Sequence, residues 1–511
     1  MMSMRPLLQL LACGVFAAGS LMAADASRPN VLFIIADDLN NSLGTYGHPL
    51  VKTPNLDKLA ARGVRFEKAA CQFPLCGPSR NSMLTGLYPN SNGILNNGQL
   101  FRQTIPSQKS LPQAFRLDGY FAARIGKLYH YNVPLSIGTN GHDDPGSWEM
   151  EINPTGVDRM EDMDQAFSLI PGSYGGTLSW FASSNPDEKH TDGKMAHEAE
   201  WVLERCAKDK SRPFFLALGF FRPHTPYIAP KTYFEGYPRE NMPVVQGWKE
   251  DQADIPAPGL GSYKKEQDKL TDDLRRECIQ AYYASVSFMD AQAGVVLNAL
   301  DRLGLTDNTI VVFTSDHGYH LGEHGLWQKQ SLFAESARVP LIMAGPGISK
   351  GGVAQSPVGL IDLYPTLTEL AGVKAPENLQ GQSLVPMLKD PKVEGRGWVI
   401  SQVMRGGAGA GKKKGASPAV GREGKKIFGY SLRTLRWRYT EWDEGRAGRE
   451  LYDHDADPKE LTNLADKPEH AATVAELSTQ LGGIVKTTYP ADGVTPPVQE
   501  KGMWAPNLTD P

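Results

Sequence analysis

Beyond its first two dozen residues, the 511-residue chain lacks any apolar run of the length a membrane-spanning helix needs. It also lacks a charge excess. Fifty-three basic and fifty-seven acidic residues give a formal net charge of -4, which removes the usual basis for binding nucleic acid or a strongly anionic surface and requires any anion recognition to be built locally. Cysteine is scarce, five in all, and Cys13 lies within the apolar amino-terminal stretch. That excludes a fold held by a disulfide framework and leaves Cys71, Cys76, Cys206 and Cys278 to be explained singly, a Cys206–Cys278 pair being open in an oxidising compartment. Internal repeats are absent too. What remains is an ordinary globular composition, long enough for one large domain and a smaller one, each with its own core.

The amino terminus reads as an address. Met1 to Ala24 has a basic start at Arg5, an apolar stretch from Pro6 to Ala18, and small residues Ala23 and Ala24 before Asp25. That is the pattern of a cleaved signal over 1–24, so export to a periplasm or the medium is expected. Leu10-Leu11-Ala12-Cys13 fits a lipoprotein cleavage site poorly. Sequons occur at Asn40 and Asn507; a glycan on Asn40 would obstruct the acidic cluster beside it, so both read as accidental.

Val31-Leu32-Phe33-Ile34-Ile35 is a continuous apolar run that stops at Asp37-Asp38, as a strand buried on both faces would. Thr309 to Thr314 repeats the design and stops at Asp316-His317. Helical periodicity covers Asn55 to Arg62, Ser110 to Asp118, His197 to Lys208 and Leu274 to Leu303. Strands alternating with helices predict an α/β domain over about 27–385 with a largely parallel central sheet. From Trp398 the character changes: aromatic and basic residues alternate from Tyr430 to Trp442, Asp457-Pro458 marks a turn, and a helix is expected near Ala471 to Ile484. That predicts a smaller α+β unit over 395–490 with an antiparallel sheet, then a tail over 491–511. The Gly, Ala and Lys-rich stretch from Gly406 to Lys426 reads as a solvated loop, with an electrostatic lip for a polyanionic substrate as the alternative.

Ligands gather beyond the carboxyl ends of parallel strands, and both acidic clusters fall there. Asp37, Asp38, Asp316 and His317 would put three carboxylates and an imidazole together, a set that needs a cation. Calcium suits mixed carboxylate geometry better than magnesium, which demands a tighter octahedron; zinc is the weaker fit with one imidazole.

Cys76-Gly77-Pro78-Ser79-Arg80-Asn81-Ser82-Met83-Leu84-Thr85-Gly86 fixes seven residue types at set spacings and resembles the signature of type I sulfatases, in which the cysteine is oxidised to formylglycine. The likeness runs from Pro29 to about Leu464. It includes Asn30-Val31-Leu32 with Asp37-Asp38-Leu39, Gly126-Lys127-Leu128-Tyr129-His130, Arg222-Pro223-His224, Asp316-His317-Gly318 with Gly322-Glu323-His324-Gly325 and Lys329, and Gly429 to Thr434. In order and spacing these are similar to iduronate-2-sulfatase and its bacterial relatives. The resemblance implies an alkaline-phosphatase-like fold, a large mostly parallel sheet flanked by helices with a smaller antiparallel unit after it.

It also implies a chemistry. A sulfate ester needs an activated nucleophile, charge neutralisation and a proton donor. The hydrated aldehyde at Cys76 would be acidified by the calcium it shares with Asp37, Asp38, Asp316 and His317, would attack sulfur, and would later expel sulfate by collapsing to the aldehyde. Arg80 would hold the hydrated residue, Lys127 and Lys329 would clamp sulfate oxygens, His130 would assist sulfate release, and His224 would protonate the leaving alcohol. A maturation enzyme, formylglycine-generating or of the anaerobic type, is implied as a partner, with a sulfated saccharide as substrate. His320 and His324 carry no assigned role. Ile137 to Lys194 and Gln246 to Asp268 have no counterpart in the pattern and are expected to border the pocket and select the sugar. Phosphonate or phosphate monoester hydrolysis on the same scaffold, and glycan binding without catalysis, are the competing readings.

Overall fold

The computed structural model describes residues 28–406 and 426–499. The expected signal, the Lys412-Lys413-Lys414 stretch and the end of the expected tail lie outside the described residues.

The apolar run at the start forms β1 (Asn30–Ala36), in which every residue is buried. Packing on both of its faces explains why no polar alternation is needed. β1 pairs in parallel with β5 (Phe214–Gly219) and β6 (Thr309–Ser315). The sheet also contains β2 (Gly63–Phe66), β3 (Phe121–Gly126), β4 (Met150–Ile152), β7 (Leu341–Ala344) and β8 (Gly352–Ala354). Its order is β8-β2-β7-β6-β1-β5-β3-β4, parallel except that β7 runs against both β6 and β2.

Alternate residues of β1 feed two cores. Leu32, Ile34 and Ala36 pack with Met195, Val202, Tyr282 and Met289 of the long helices Thr191–Lys208 and Asp272–Arg302. Val31, Phe33 and Ile35 face Met83, Leu84, Phe115 and Leu363 on the other side. The helix Asp272–Arg302 starts where Thr271 accepts the Leu274 N–H. The helix Thr191–Lys208 begins six residues before the periodicity announces it. Its first turn is polar because the buried Asp192 carboxylate accepts the backbone N–H groups of Phe221 (3.0 Å) and Arg222 (2.9 Å), leaving no apolar stripe there to read.

After the large sheet, Trp398–Arg405, Ile427–Thr434, Trp437–Trp442 and Arg449–Asp453 make a four-stranded antiparallel sheet in sequence order. The helix Ala471–Thr487 covers it, Leu477, Leu481 and Ile484 packing on Ile400, Leu432, Tyr439 and Leu451. This sheet is fixed to the larger unit by the Ser401 hydroxyl on the Cys71 carbonyl (2.5 Å) and the Gln402 N–H on the Gln72 carbonyl (2.9 Å). The aromatic and basic alternation from Tyr430 to Trp442 spans two of its strands, broken where the Thr434 hydroxyl accepts the Trp437 N–H (3.0 Å) in a turn.

Candidate functional site

The β1–β6 register sets Ala36 opposite Ser315, so Asp37 and Asp316 leave the sheet side by side. Asp38 then adopts a left-handed backbone (φ 65), which costs free energy in a non-glycine residue and so has to be held. Its N–H donates to Asp316 Oδ1 (3.1 Å), and its carbonyl accepts the Tyr282 hydroxyl proton (2.8 Å). The Tyr282 oxygen in turn accepts the Asn40 N–H at 3.0 Å. Asp37, Asp38, Asp316 and His317 are all fully buried.

Cys76 is the first residue of the helix Cys76–Thr85, whose ten residues are all buried. No residue next to it in sequence caps that helix. Asn97 does so from another loop, its side-chain oxygen accepting the Gly77 N–H at 2.8 Å. A Cβ on Gly77 would stand 2.9 Å from that oxygen, so glycine is what lets the loop approach. Cys76 Sγ lies 3.3 Å from His317 Nε2, 3.3 Å from Lys329 Nζ and 3.9 Å from Asp38 Oδ1. Burial alone would push the thiol up, but Lys127, Lys329 and His317 together hold it well below the usual thiol range.

Arg80, one helical turn on, has no exposed surface and is fully bonded. Nε meets Asp316 Oδ2 (2.9 Å), Nη2 meets Asp37 Oδ1 (3.1 Å), and Nη1 donates to the carbonyls of Lys127 (2.6 Å) and Leu128 (3.2 Å). It therefore ties the two strand ends and the β3 exit to the Cys76 helix. Lys127 Nζ stands 2.6 Å from Asp37 Oδ2 and Lys329 Nζ stands 2.5 Å from Asp38 Oδ1. Burial would raise the Asp37 carboxyl, yet Lys127, with His224 and Arg80, holds it far below the ordinary range. Burial pushes Asp316 up to about 6 despite Arg80 and His317. It would lower His317, but Asp316 and Cys76 raise that imidazole to about 9. His317 Nδ1 donates to the Gly318 carbonyl (2.9 Å), which leaves Nε2 to face Cys76. His224 is oriented alike, Nδ1 donating to the Thr225 carbonyl (2.6 Å) and Nε2 lying 3.8 Å from Asp38 Oδ2. His130 is close enough to Cys76 to be a hydrogen-bond neighbour, its Nδ1 is buried without a partner, and burial lowers it to about 4.

Ligand atoms of Asp38, Cys76, Asp316 and His317 lie within 4.8 Å of one another, and Asp38 Oδ2 is buried with no hydrogen-bond partner. Two carboxylates, an imidazole aimed by its other nitrogen and an unpaired oxygen fit a divalent cation. Cys76 Sγ stands where an oxidised residue would present oxygen. Asp37, expected among the ligands, lies outside this group of four, and Arg80 and Lys127 bond its two oxygens.

Both segments without counterpart in the motif pattern reach the site. The His142 ring is 5.4 Å from His130, and Gly175 accepts the Thr225 hydroxyl beside His224. Lys264 joins the Gly176 carbonyl to the side chain of Gln328, next to Lys329. His320 and His324 are buried and occupied elsewhere, His320 on Ser331 (2.6 Å) and His324 stacked on Phe333. Cys71, Cys206 and Cys278 are free.

Tyr282 and Asn40 could not be read as site residues, since one sits on a helix 244 positions away from Asp38 and the other invites a glycosylation reading. Tyr282→Phe is expected to weaken divalent-cation binding roughly tenfold or more, as loss of a partner that orients a ligand does. Calcium titration of the apoprotein measures it, and unchanged affinity would leave Tyr282 with a packing role only.

A family model described as Sulfatase matches residues 29–373. A sulfatase from Formosa agariphila is 35% identical over 89% of this chain and 87% of its own length. Iduronate 2-sulfatase from Mus musculus is 31% identical over 88% of this chain and 93% of its own. Among solved structures, the phosphonate monoester hydrolase of Agrobacterium radiobacter superposes with a TM-score of 0.73 at 23% identity, covering 90% of this chain and 96% of that one.

Proposed function

The chain belongs to the sulfatase family and is a sulfuric ester hydrolase, and from that premise we propose that it removes sulfate from a sulfated saccharide, using Cys76 matured to formylglycine beside a bound calcium ion. The observation that carries this reading is the placement of Cys76 at the head of a buried helix, 3.3 Å from both an imidazole and an ammonium. With the cation bound, the oxidised, hydrated residue would present an oxygen nucleophile at neutral pH. Asp37, Asp38, Asp316 and His317 would hold the ion.

The remaining work falls to groups this chain fixes in place. Arg80 cannot swing, being bonded at every nitrogen, so it fixes the orientation of the residue at 76 and places a permanent positive charge beside it. Lys127 and Lys329 pair with Asp37 and Asp38 when no ester is bound, and their ammonium groups are placed to meet sulfate oxygens as the ester enters. Lys329 also lies 3.3 Å from Cys76 Sγ, beside the position the nucleophile would occupy. His224 presents Nε2 to the site and, when protonated there, delivers that proton to the departing sugar oxygen.

His130, neutral because it is buried, accepts the proton released as sulfate leaves. With its pKa lowered to about 4, His130 remains able to accept a proton from about pH 5 to about pH 8. His130→Gln is therefore expected to lower turnover on the order of 10²-fold or more across that range without moving the acid limb of the pH profile. A shifted acid limb would show that His130 itself titrates there.

Export, maturation by a formylglycine-forming enzyme, and exo-action on short fragments complete the proposal. The loops around His142, Gly176 and Lys264 would select the sugar. The structural likeness to a phosphonate monoester hydrolase supports a second reading on the same cations. A phosphate monoester carries about one more negative charge than a sulfate monoester, whereas Lys127 and Lys329 are each already matched by a carboxylate. Parallel assays on aryl sulfate, aryl phosphate and aryl phosphonate esters are expected to give the highest kcat/KM for sulfate; a clear phosphate or phosphonate preference would reverse the assignment.

A further inference from the structure

Away from Cys76, between the loop that carries Lys329 and the carboxy-terminal sheet, His324 is buried with its Nδ1 2.9 Å from Asp251 Oδ2. Its Nε2 has no hydrogen-bond partner and is aimed at Glu335 Oε2, 3.6 Å away, which has none either. Ligand atoms of His324, Glu335 and Glu460 lie within 4.8 Å of one another. The backbone of His324 is left-handed (φ 54) and its ring stacks on Phe333 at 3.8 Å, so the imidazole is held in this direction against local preference.

The geometry matches that of the first site. There His317 Nε2 lies 3.3 Å from Asp38 Oδ1 and 3.6 Å from Asp316 Oδ2, with its Nδ1 bonded to an oxygen behind it. Ligands about 2.0–2.2 Å from a tetrahedral zinc ion stand roughly 3.4 Å apart, whereas an imidazolium bonded to a carboxylate would close to about 2.8 Å. A carboxylate behind the far nitrogen is the usual support for a metal-ligating histidine, and Asp251 provides it.

Charge points the same way. Asp251, Glu335 and Glu460 face His324, while Arg438 bonds one oxygen of Glu460, which also accepts from His454 (2.6 Å) and, through its other oxygen, the Ala334 N–H (2.9 Å). With Glu450 and Arg433, which also act on Glu460, four carboxylates stand against two guanidiniums and leave two negative charges. A proton on the imidazole offsets one of them; a divalent ion offsets both.

We propose that His324, Glu335 and Glu460 form a second cation site, for zinc or a similar divalent transition ion, that ties the Lys329 loop and the Asp251 segment to the carboxy-terminal sheet. The site is structural and does not depend on the assignment of Cys76.

Metal analysis of the whole protein, expressed in zinc-supplemented medium and desalted, tests it. The wild type should hold about one equivalent of zinc that Glu335→Gln loses, while calcium content is the same in both. Glu335 is partly exposed, and the one ion pair it makes among the described residues is with His324, so this isosteric change is mild. As a second readout, zinc added to chelator-treated protein should raise the melting temperature of the wild type and not of the variant. Wild type without zinc, or equal zinc in both proteins, would overturn the proposal and leave a protonated His324 bridging Asp251 and Glu335.

Discussion

Cys76→Ala is expected to abolish sulfate ester hydrolysis, a loss on the order of 10⁴-fold or more, of the size seen when a nucleophile is removed from an intact site. The structure gives the reason. Position 76 presents an atom at once to His317, Lys329 and Asp38, and the helix that carries it is buried along its whole length. Alanine is a good residue for the first turn of a helix and leaves a small void, so the fold should survive with at most about 1 kcal/mol lost. Cys76→Ser should be nearly as inactive. A serine has one oxygen where sulfate release requires two, and a sulfated serine has no aldehyde to collapse to. Steady-state turnover of an aryl sulfate, with thermal melting as a check on folding, measures both variants. Turnover surviving in Cys76→Ala would place the nucleophile elsewhere.

Arg80→Ala should be the more damaging change to the molecule itself. Arg80 is the cation that Asp37 and Asp316 share, and all three side chains are fully buried. Removing one partner of a buried pair leaves its carboxylates uncompensated, at a cost of about 3–5 kcal/mol. Asp316 already sits at about 6 with Arg80 in place. Without that charge it would rise further and be protonated near neutral pH, so the sign of the effect is a stability loss that grows as pH rises above the Asp316 pKa. Arg80→Lys keeps the charge but cannot reach Asp37, Asp316 and the Lys127 and Leu128 carbonyls together, so stability should recover in part while turnover stays low. Denaturant midpoints at two pH values, paired with turnover, separate these outcomes; a midpoint in Arg80→Ala equal to the wild type would contradict the cross-link role.

How much of this the sequence disclosed follows from the kind of information each feature needs. The runs at Val31 and Thr309 became the paired central strands because a strand buried on both faces has no polar alternation, and the acids after them fall at strand ends by chain order alone. The long helix was legible to within a few residues from its periodicity. By contrast, β7 lies antiparallel in a parallel sheet, a matter of which neighbour it meets and not of its own composition. Asp37 and Asp38 look equivalent in the chain. Only the packing of Arg80 and Lys127 on one of them, and the left-handed turn at the other, divides a carboxylate bonded at both oxygens from one hydrogen-bonded at a single oxygen. The Tyr282 support and the His324 group depend on contacts between segments far apart in the chain, which no local pattern encodes.

The central claim is that the thiol at position 76 is converted to an aldehyde in the active protein. Mass analysis of the peptide carrying Cys76, from protein matured in its own cell and assayed in parallel for sulfate release, tests it most directly. The account predicts a peptide lighter than the thiol form, with activity proportional to the converted fraction. Full activity in protein whose Cys76 remains an unconverted thiol would contradict it.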